Sequence, residues 1–171
     1  VENMLNVSRI ERGSLIVNMQ PTDWIESAKS TTQEFIFRAQ EKHLTLEFLE
    51  PQTQIPQINI DKQKINEVLA NLLSNAINYT LPGGTIQVSV ETDQKEVITH
   101  VKDTGQGIPP DQIPHLFNKF YRVAGKIELG ASKGTGLGLY ISKSIVDLHK
   151  GKVWVDSEVG KGSTFSFSIP I

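Results

Sequence analysis

The side chains in this chain that could do chemistry are mostly amides. Glu67, Asn71, Asn75 and Asn78 recur at helical period and fall within about one quadrant of a helical wheel. Asparagine is a poor helix former because its amide competes for backbone hydrogen bonds. A solvated face would more often carry Glu, Lys and Gln. Asn71 and Asn75 can offer amide oxygens to Mg²⁺, a hard cation that takes oxygen ligands and draws most of its neutralising charge from phosphates. The same residues also fit a face that is simply wet.

Three further clusters carry chemical potential, each with a plainer alternative. Asp103 opens D-T-G-Q-G-I at a predicted strand end. A carboxylate there can accept from an exocyclic amine such as that of adenine, and Gly105 and Gly107 leave room for a flat base. The alternative is a tight turn capped by Asp103. Gly134, Thr135, Gly136, Leu137 and Gly138 open a helix, where exposed N–H groups form an anion site; a hinge with a cap is the alternative. Their spacing matches neither dinucleotide-binding nor Walker patterns. The run 160–164 imitates a phosphate loop but precedes a strand, so it reads as a hairpin turn. Phe117, Phe120 and Tyr121 accompany Lys119 and Arg122. The aromatics read as packing anchors, and Arg122 as a phosphate contact or an ordinary solvated arginine.

These residues need elements to hold them. Ile65, Val68, Leu69, Leu72, Leu73 and Ala76 make an apolar stripe, Asp61 can cap, and Leu81-Pro82-Gly83-Gly84 stops, so a helix is predicted over 61–80. Residues 1–12 read as a helix stopped by Gly13, short enough to be the end of a longer upstream element. A strand is predicted over 14–20, ended by Pro21. A helix over 24–43 follows, capped by Asp23, with Ile25, Ala28, Phe35, Ile36 and Ala39 inward. Strands are predicted over 45–50, 57–60, 85–92 and 96–102, the last two as a hairpin through 93–95. An aromatic-rich helical turn (114–122) and a linker (123–133) lead to a helix ending near 149. Leu137, Ile141, Ile145 and Leu148 mark its buried side. Strands over 152–157 and 163–169 close the chain. Helices alternating with hairpins, without strict βαβ units, predict an α/β fold: a two-layer α/β sandwich on a mixed sheet.

The 171 residues suffice for one substantial core. A net charge of −2 makes no electrostatic case for nucleic acid. The absence of cysteine excludes disulfides, thiolate catalysis and cysteine-based zinc sites, and suits a reducing compartment. No apolar run approaches the roughly 18 residues of a membrane span, and no signal peptide is visible. Because the first residues already read as helix, the chain is expected to be a fragment of something longer. A membrane segment could lie upstream.

Taken in this order, the four clusters are far more specific than any one, and the chain resembles the catalytic, ATP-binding domain of sensor histidine kinases, in the gyrase, histidine kinase and MutL superfamily. N-L-L-S-N-A-I-N-Y-T looks like its asparagine box, D-T-G-Q-G-I its first glycine box, F-N-K-F-Y-R its phenylalanine box and G-T-G-L-G-L its second glycine box. The tail from Gly151 to Pro170 matches as well. The resemblance covers 15–171. Residues 1–13, with L-N-V-S-R-I-E-R-G, look like the end of the second helix of the dimerisation and phosphoacceptor domain, leaving 14–171 as the catalytic domain.

The resemblance implies a Bergerat-type fold: a mixed sheet of about five strands, an N-terminal hairpin-like strand pair and three main helices on one face. It implies ATP and Mg²⁺ as ligands. Asn75 would hold the metal and Asn71 would sit beside it at the phosphates. Asn78 and Tyr79 would lie near the nucleotide. Asp103 would read the adenine amine, partly through water, with Gly105, Gly107 and Ile108 around the base. Phe120 would belong to the site, and Arg122 would contact the terminal phosphates. Gly134, Thr135, Gly136, Leu137, Gly138 and Leu139 would supply backbone donors. Residues 109–133 would form the ATP lid.

Two departures matter. Hydrolysing branches carry a glutamate where this chain has Asn71, and an amide cannot act as a general base, which favours transfer over hydrolysis. Histidine kinases usually carry a basic residue where this chain has Asn78. No phosphoacceptor box is present, and His43, His100, His115 and His149 sit in other surroundings. The expected activity is transfer of the γ-phosphoryl of ATP to a histidine on a separate helical domain, with Asn71, Asn75 and Arg122 as catalytic residues. Expected partners are that helical domain, within a homodimer, and a response regulator receiver domain. The domain would be cytoplasmic, any membrane attachment coming from upstream segments. A nucleotide-driven conformational switch and a docking module without kinase activity are the rival readings.

Overall fold

Helical and alternating periods in the sequence decide which side chains the chain buries. In the computed structural model, which describes residues 2–123 and 136–171, the chain begins with helix α1 (Glu2–Glu11), strand β1 (Gln20–Thr22) and helix α2 (Trp24–Glu41). Strands β2 (Thr45–Phe48) and β3 (Ile58–Ile60) lead into helix α3 (Lys62–Tyr79). Strands β4 (Thr85–Thr92) and β5 (Glu96–Asp103) follow, then a 3₁₀ turn at Ile113–His115. Helix α4 (Gly138–Leu148) and strands β6 (Lys152–Glu158) and β7 (Gly162–Pro170) complete it.

Five strands form one mixed sheet in the order β2-β4-β5-β7-β6. β2 and β4 are parallel and the other pairs antiparallel. The register stacks Val88, Val101 and Phe165 in one row and Val90, Thr99 and Phe167 in the next. These residues are buried, while Gln87, Ser89 and His100 on alternate positions are more exposed, so the helices cover one face. α3 lies between α2 and α4 and crosses β5. Its predicted stripe, Ile65, Val68, Leu69, Leu72, Leu73 and Ala76, is buried throughout. Each fully buried leucine or valine contributes about 1.5–3 kcal/mol. Asp61 caps α3 by accepting from the Lys64 N–H at 3.2 Å, and Asp23 caps α2 from Glu26 at 3.2 Å. Trp24 ties α2 to the sheet. Its indole N–H donates to Thr99 Oγ1 at 2.8 Å and its ring meets Phe167 edge-on.

The two-layer architecture and mixed sheet match the expectation; several element boundaries do not. The predicted strand over 14–20 is absent. Residues 14–19 have no partner strand, and Ile16 is 84% exposed beside buried Leu15. Pairing begins only at β1, which contains Pro21 instead of ending before it. β1 pairs with β3 alone, and a residue without an N–H is tolerated on such an edge. This small antiparallel pair is no sequential hairpin, because α2 and β2 separate its strands. β2 stops at Phe48, and α2 ends at Glu41, where His43 turns at φ 59°. The aromatic helical turn shrinks to Ile113–His115. Gly134 and Thr135 lie outside the described residues, and α4 begins at Gly138.

Candidate nucleotide site

The cleft lies beside the polar face of α3. It has a volume of about 300 Å³ and is lined by Asn71, Asn75, Asn78 and Tyr79 of α3, Asp103 at the end of β5, Ile108, Arg122, Gly136, Gly138 and Leu139. Asn3 of α1 and Ser163 and Phe165 of β7 also face it. Four sequence clusters, spread over some seventy positions, thus converge on one space. Among the predicted residues, Gly105, Gly107, Phe120 and Leu137 do not line it, and Gly134 and Thr135 lie outside the described residues.

The asparagine face divides by partner. Asn71 Nδ2 donates to Ser142 Oγ at 3.1 Å and to Gly138 O at 3.4 Å, joining α3 to the start of α4. Its nitrogen is committed to α4, so its oxygen is the group it can offer to the cleft. Asn75 makes no side-chain hydrogen bond among the described residues although it lines the cleft. Glu67, one turn before Asn71, accepts instead from Asn6 Nδ2 of α1. Asn78 accepts from Arg38 Nη2 of α2 at 3.1 Å.

Asp103 is 7% exposed. Its Oδ1 accepts from the N–H of Gly105 at 2.9 Å and of Ser163 at 3.2 Å, so it builds its own loop and ties that loop to β7. The glycines beside it are demanded by packing. A Cβ on Gly105 would lie 2.6 Å from Tyr79 O. Gly107 has φ +74°, and a Cβ there would overlap the Glu158 carbonyl. Ile108 is buried, its N–H bonded to Ser157 Oγ at 2.8 Å, and it gives the cleft an apolar wall.

The start of α4 differs from the other helix starts. Asp23 and Asp61 cap α2 and α3, but Leu137 holds the cap position of α4 and has no side-chain acceptor. Its first N–H groups therefore keep their affinity for an anion. The Phe120 N–H donates to Gly136 O at 3.0 Å, and a Cβ on Gly136 would sit 2.6 Å from the Phe120 carbonyl carbon. The Phe120 side chain itself is largely exposed outside the cleft. Phe117 packs edge-on against Phe165, and Tyr121 donates to Gln112 Oε1 at 3.1 Å, as anchors. Lys119 pairs with Glu11 of α1, and that hydrogen bond raises the lysine above its ordinary range.

No group of three or more His, Cys, Asp or Glu side chains among the described residues could hold a metal by itself. Amide oxygens at Asn71 and Asn75 fit a cation that arrives with phosphate and water ligands and needs few from the protein.

Sequence reading missed three features. His149 is buried: its Nδ1–H donates to Ile145 O at 2.7 Å, leaving Nε2 to accept from the Asp61 N–H at 3.0 Å. The imidazole thus locks the end of α4 to the start of α3. Asn3 and Asn6 bring α1 to the cleft side of α3. Arg38 reaches Asn78; its only sequence signal was a basic pair, Arg38 and Lys42, facing a helix end without a cation of its own.

Residues 60–171 match the family described as Histidine kinase-, DNA gyrase B-, and HSP90-like ATPase. The sensor protein SrrB of Staphylococcus aureus is 36% identical over 172 residues, covering 99% of this chain and 29% of SrrB. The chain therefore spans less than a third of that relative's length. Full-length ShkA, solved in complex with AMPPNP, is similar at TM-score 0.86 and 25% identity, covering 99% of this chain and 34% of ShkA. The nucleotide-free catalytic domain of histidine kinase ThkA is similar at TM-score 0.77 and 28% identity, covering 90% of this chain and 98% of that one.

Proposed function

Because this chain belongs to the histidine kinase-, DNA gyrase B- and HSP90-like ATPase family, we propose that its cleft binds ATP with Mg²⁺ and presents the γ-phosphoryl group to a histidine on a separate helical domain. The observation that carries this reading is the convergence of Asn71, Asn75, Asp103 and the uncapped start of α4 on one cleft.

Each residue has a role that follows from its chemistry. The Asp103 carboxylate accepts from the exocyclic amine of adenine, while Ile108 and Phe165 supply apolar contact to the base. Asn78 and Tyr79 flank the nucleotide. The N–H groups opening α4, from Gly138 onward, and the Arg122 guanidinium bind phosphate oxygens. Asn75, with Asn71 beside it, holds the Mg²⁺, which when bound neutralises phosphate charge. Phosphoryl transfer needs positioning and charge stabilisation more than covalent chemistry from the protein. The acceptor imidazole nitrogen attacks with its own lone pair. The P–N bond forms as the bond to the β,γ-bridging oxygen breaks, and ADP leaves with that electron pair. Asn71 cannot take a proton from water, so the cleft favours this transfer over hydrolysis.

In the longer protein, residues 1–13 would end the second helix of a homodimeric phosphoacceptor domain and 14–171 would be the catalytic domain; of the lid expected over 109–133, residues 124–133 lie outside the described residues. A response regulator receiver domain would take the phosphoryl group. No helix among the described residues is long and apolar enough to cross a membrane, so attachment, if present in the longer protein, would come from other segments. The test is incubation of the longer protein, with its helical domain, with labelled ATP and Mg²⁺. Acid-labile phosphohistidine is expected, and Asn75→Ala should remove the Mg²⁺-dependent part of ATP affinity. A folded protein that forms no phosphohistidine would refute the kinase reading.

A further inference from the structure

Asn78 is uncharged and 8% exposed, yet it lines the cleft between Asn75 and Tyr79. Its oxygen accepts from Arg38 Nη2 at 3.1 Å. A guanidinium can only donate, so this contact fixes which end of the amide is oxygen and forbids the flipped rotamer. The two N–H bonds of Nδ2 are then the only donors the Asn78 side chain has, and the guanidinium already occupies one lone pair of its oxygen.

The placement of Arg38 asks for a reason. Lys42, the C-cap residue just past α2 and one turn from Arg38, donates to Ile77 O at 2.9 Å and so meets the carbonyl end of α3. Burial holds Lys42 below the usual lysine range, and the nearby Arg38 charge adds to that shift. Like charges one turn apart on a helix are unfavourable. Lys42 supplies a cation to the end of α3, whose last turn has none of its own. Arg38 goes instead to a side chain that faces the cleft.

We propose that Arg38 is a positioning residue for nucleotide binding, locking Asn78 with its Nδ2–H₂ group toward the cleft and setting a guanidinium charge one hydrogen bond behind it. An amide whose oxygen is bonded to a cation is a stronger donor at nitrogen. The half-buried charge also attracts anionic phosphate with less screening than a surface arginine would suffer. The pair, built from two helices, gives phosphate oxygens a donor with a cation's support. This inference rests on the nucleotide reading of the cleft.

The test compares ATP with adenosine, which has no phosphates, on the intact protein. Arg38→Met keeps the apolar stem and removes donor and charge. ATP affinity should fall roughly tenfold while adenosine, titrated to millimolar concentration, changes less than about twofold. Adding Asn78→Lys to Arg38→Met should return most of the ATP affinity, whereas Asn78→Lys alone crowds three cations and should lower Tm. A purely structural Arg38 would move ATP and adenosine together; that result, or no change in either, overturns the proposal. If Arg38→Met does not fold, Arg38→Gln, which keeps a donor and loses the charge, carries the same two titrations. Failure of the unaltered protein to bind ATP would instead refute the nucleotide reading.

Discussion

Asp103→Asn separates the two tasks of one carboxylate. The amide keeps an oxygen for the Gly105 and Ser163 N–H groups, which now sit 2.9 and 3.2 Å from Oδ1. Both bonds change from charge-assisted to neutral, each falling from about 1.5–3 to about 0.5–1.5 kcal/mol. The fold should lose roughly 2 kcal/mol, a Tm decrease of about 4–8 °C for a chain of this length. Binding should suffer more selectively. An exocyclic amine that met a carboxylate can now meet an N–H₂ group, losing about 2–3 kcal/mol, or roughly 30- to 150-fold in ATP affinity. A guanine carbonyl in the same place would meet a donor, so GTP should lose much less. Titration calorimetry with both nucleotides, beside a thermal melt, measures all three quantities. ATP affinity retained within about threefold, or an equal fall for both nucleotides, would refute the assignment of Asp103 to the amine.

His149→Ala removes the acceptor of the part-buried Asp61 N–H and empties the space of a buried ring; we expect a loss of about 3 kcal/mol, seen as a lower urea midpoint at unchanged slope. A loss under about 1 kcal/mol would show that the α4–α3 lock carries little. Gly107→Ala sets a Cβ against the Glu158 carbonyl at φ +74° and should cost about 3 kcal/mol or more, while Gly160→Ala, at φ +83° with open space around it, should cost about 1–2 kcal/mol. Equal losses at the two glycines, measured by denaturant melts, would sink the packing argument for Gly107.

What the sequence determined by itself is local. The α3 stripe, the Asp61 and Asp23 caps, the β4–β5 hairpin and the Gly160 turn all depend on residues within a turn or two of one another. Their hydrogen bonds and periodicities are therefore written in adjacent positions. The motifs around Asn75, Asp103 and Gly138 were legible for the same reason, each being a short run. Tertiary structure decided which runs meet. Strand pairing needs a distant partner: residues 14–19 found none, and β1, beginning at Gln20, found β3 across α2 and β2. Three residues on one predicted face went to three places: Glu67 to α1, Asn71 to α4 and Asn78 to α2. Gly107 reads as room for a ligand until Glu158 is brought beside it. Arg38 stands forty positions from Asn78, and only the packing of α2 on α3 makes them one unit, because a side chain's partner is set by which segments fold together.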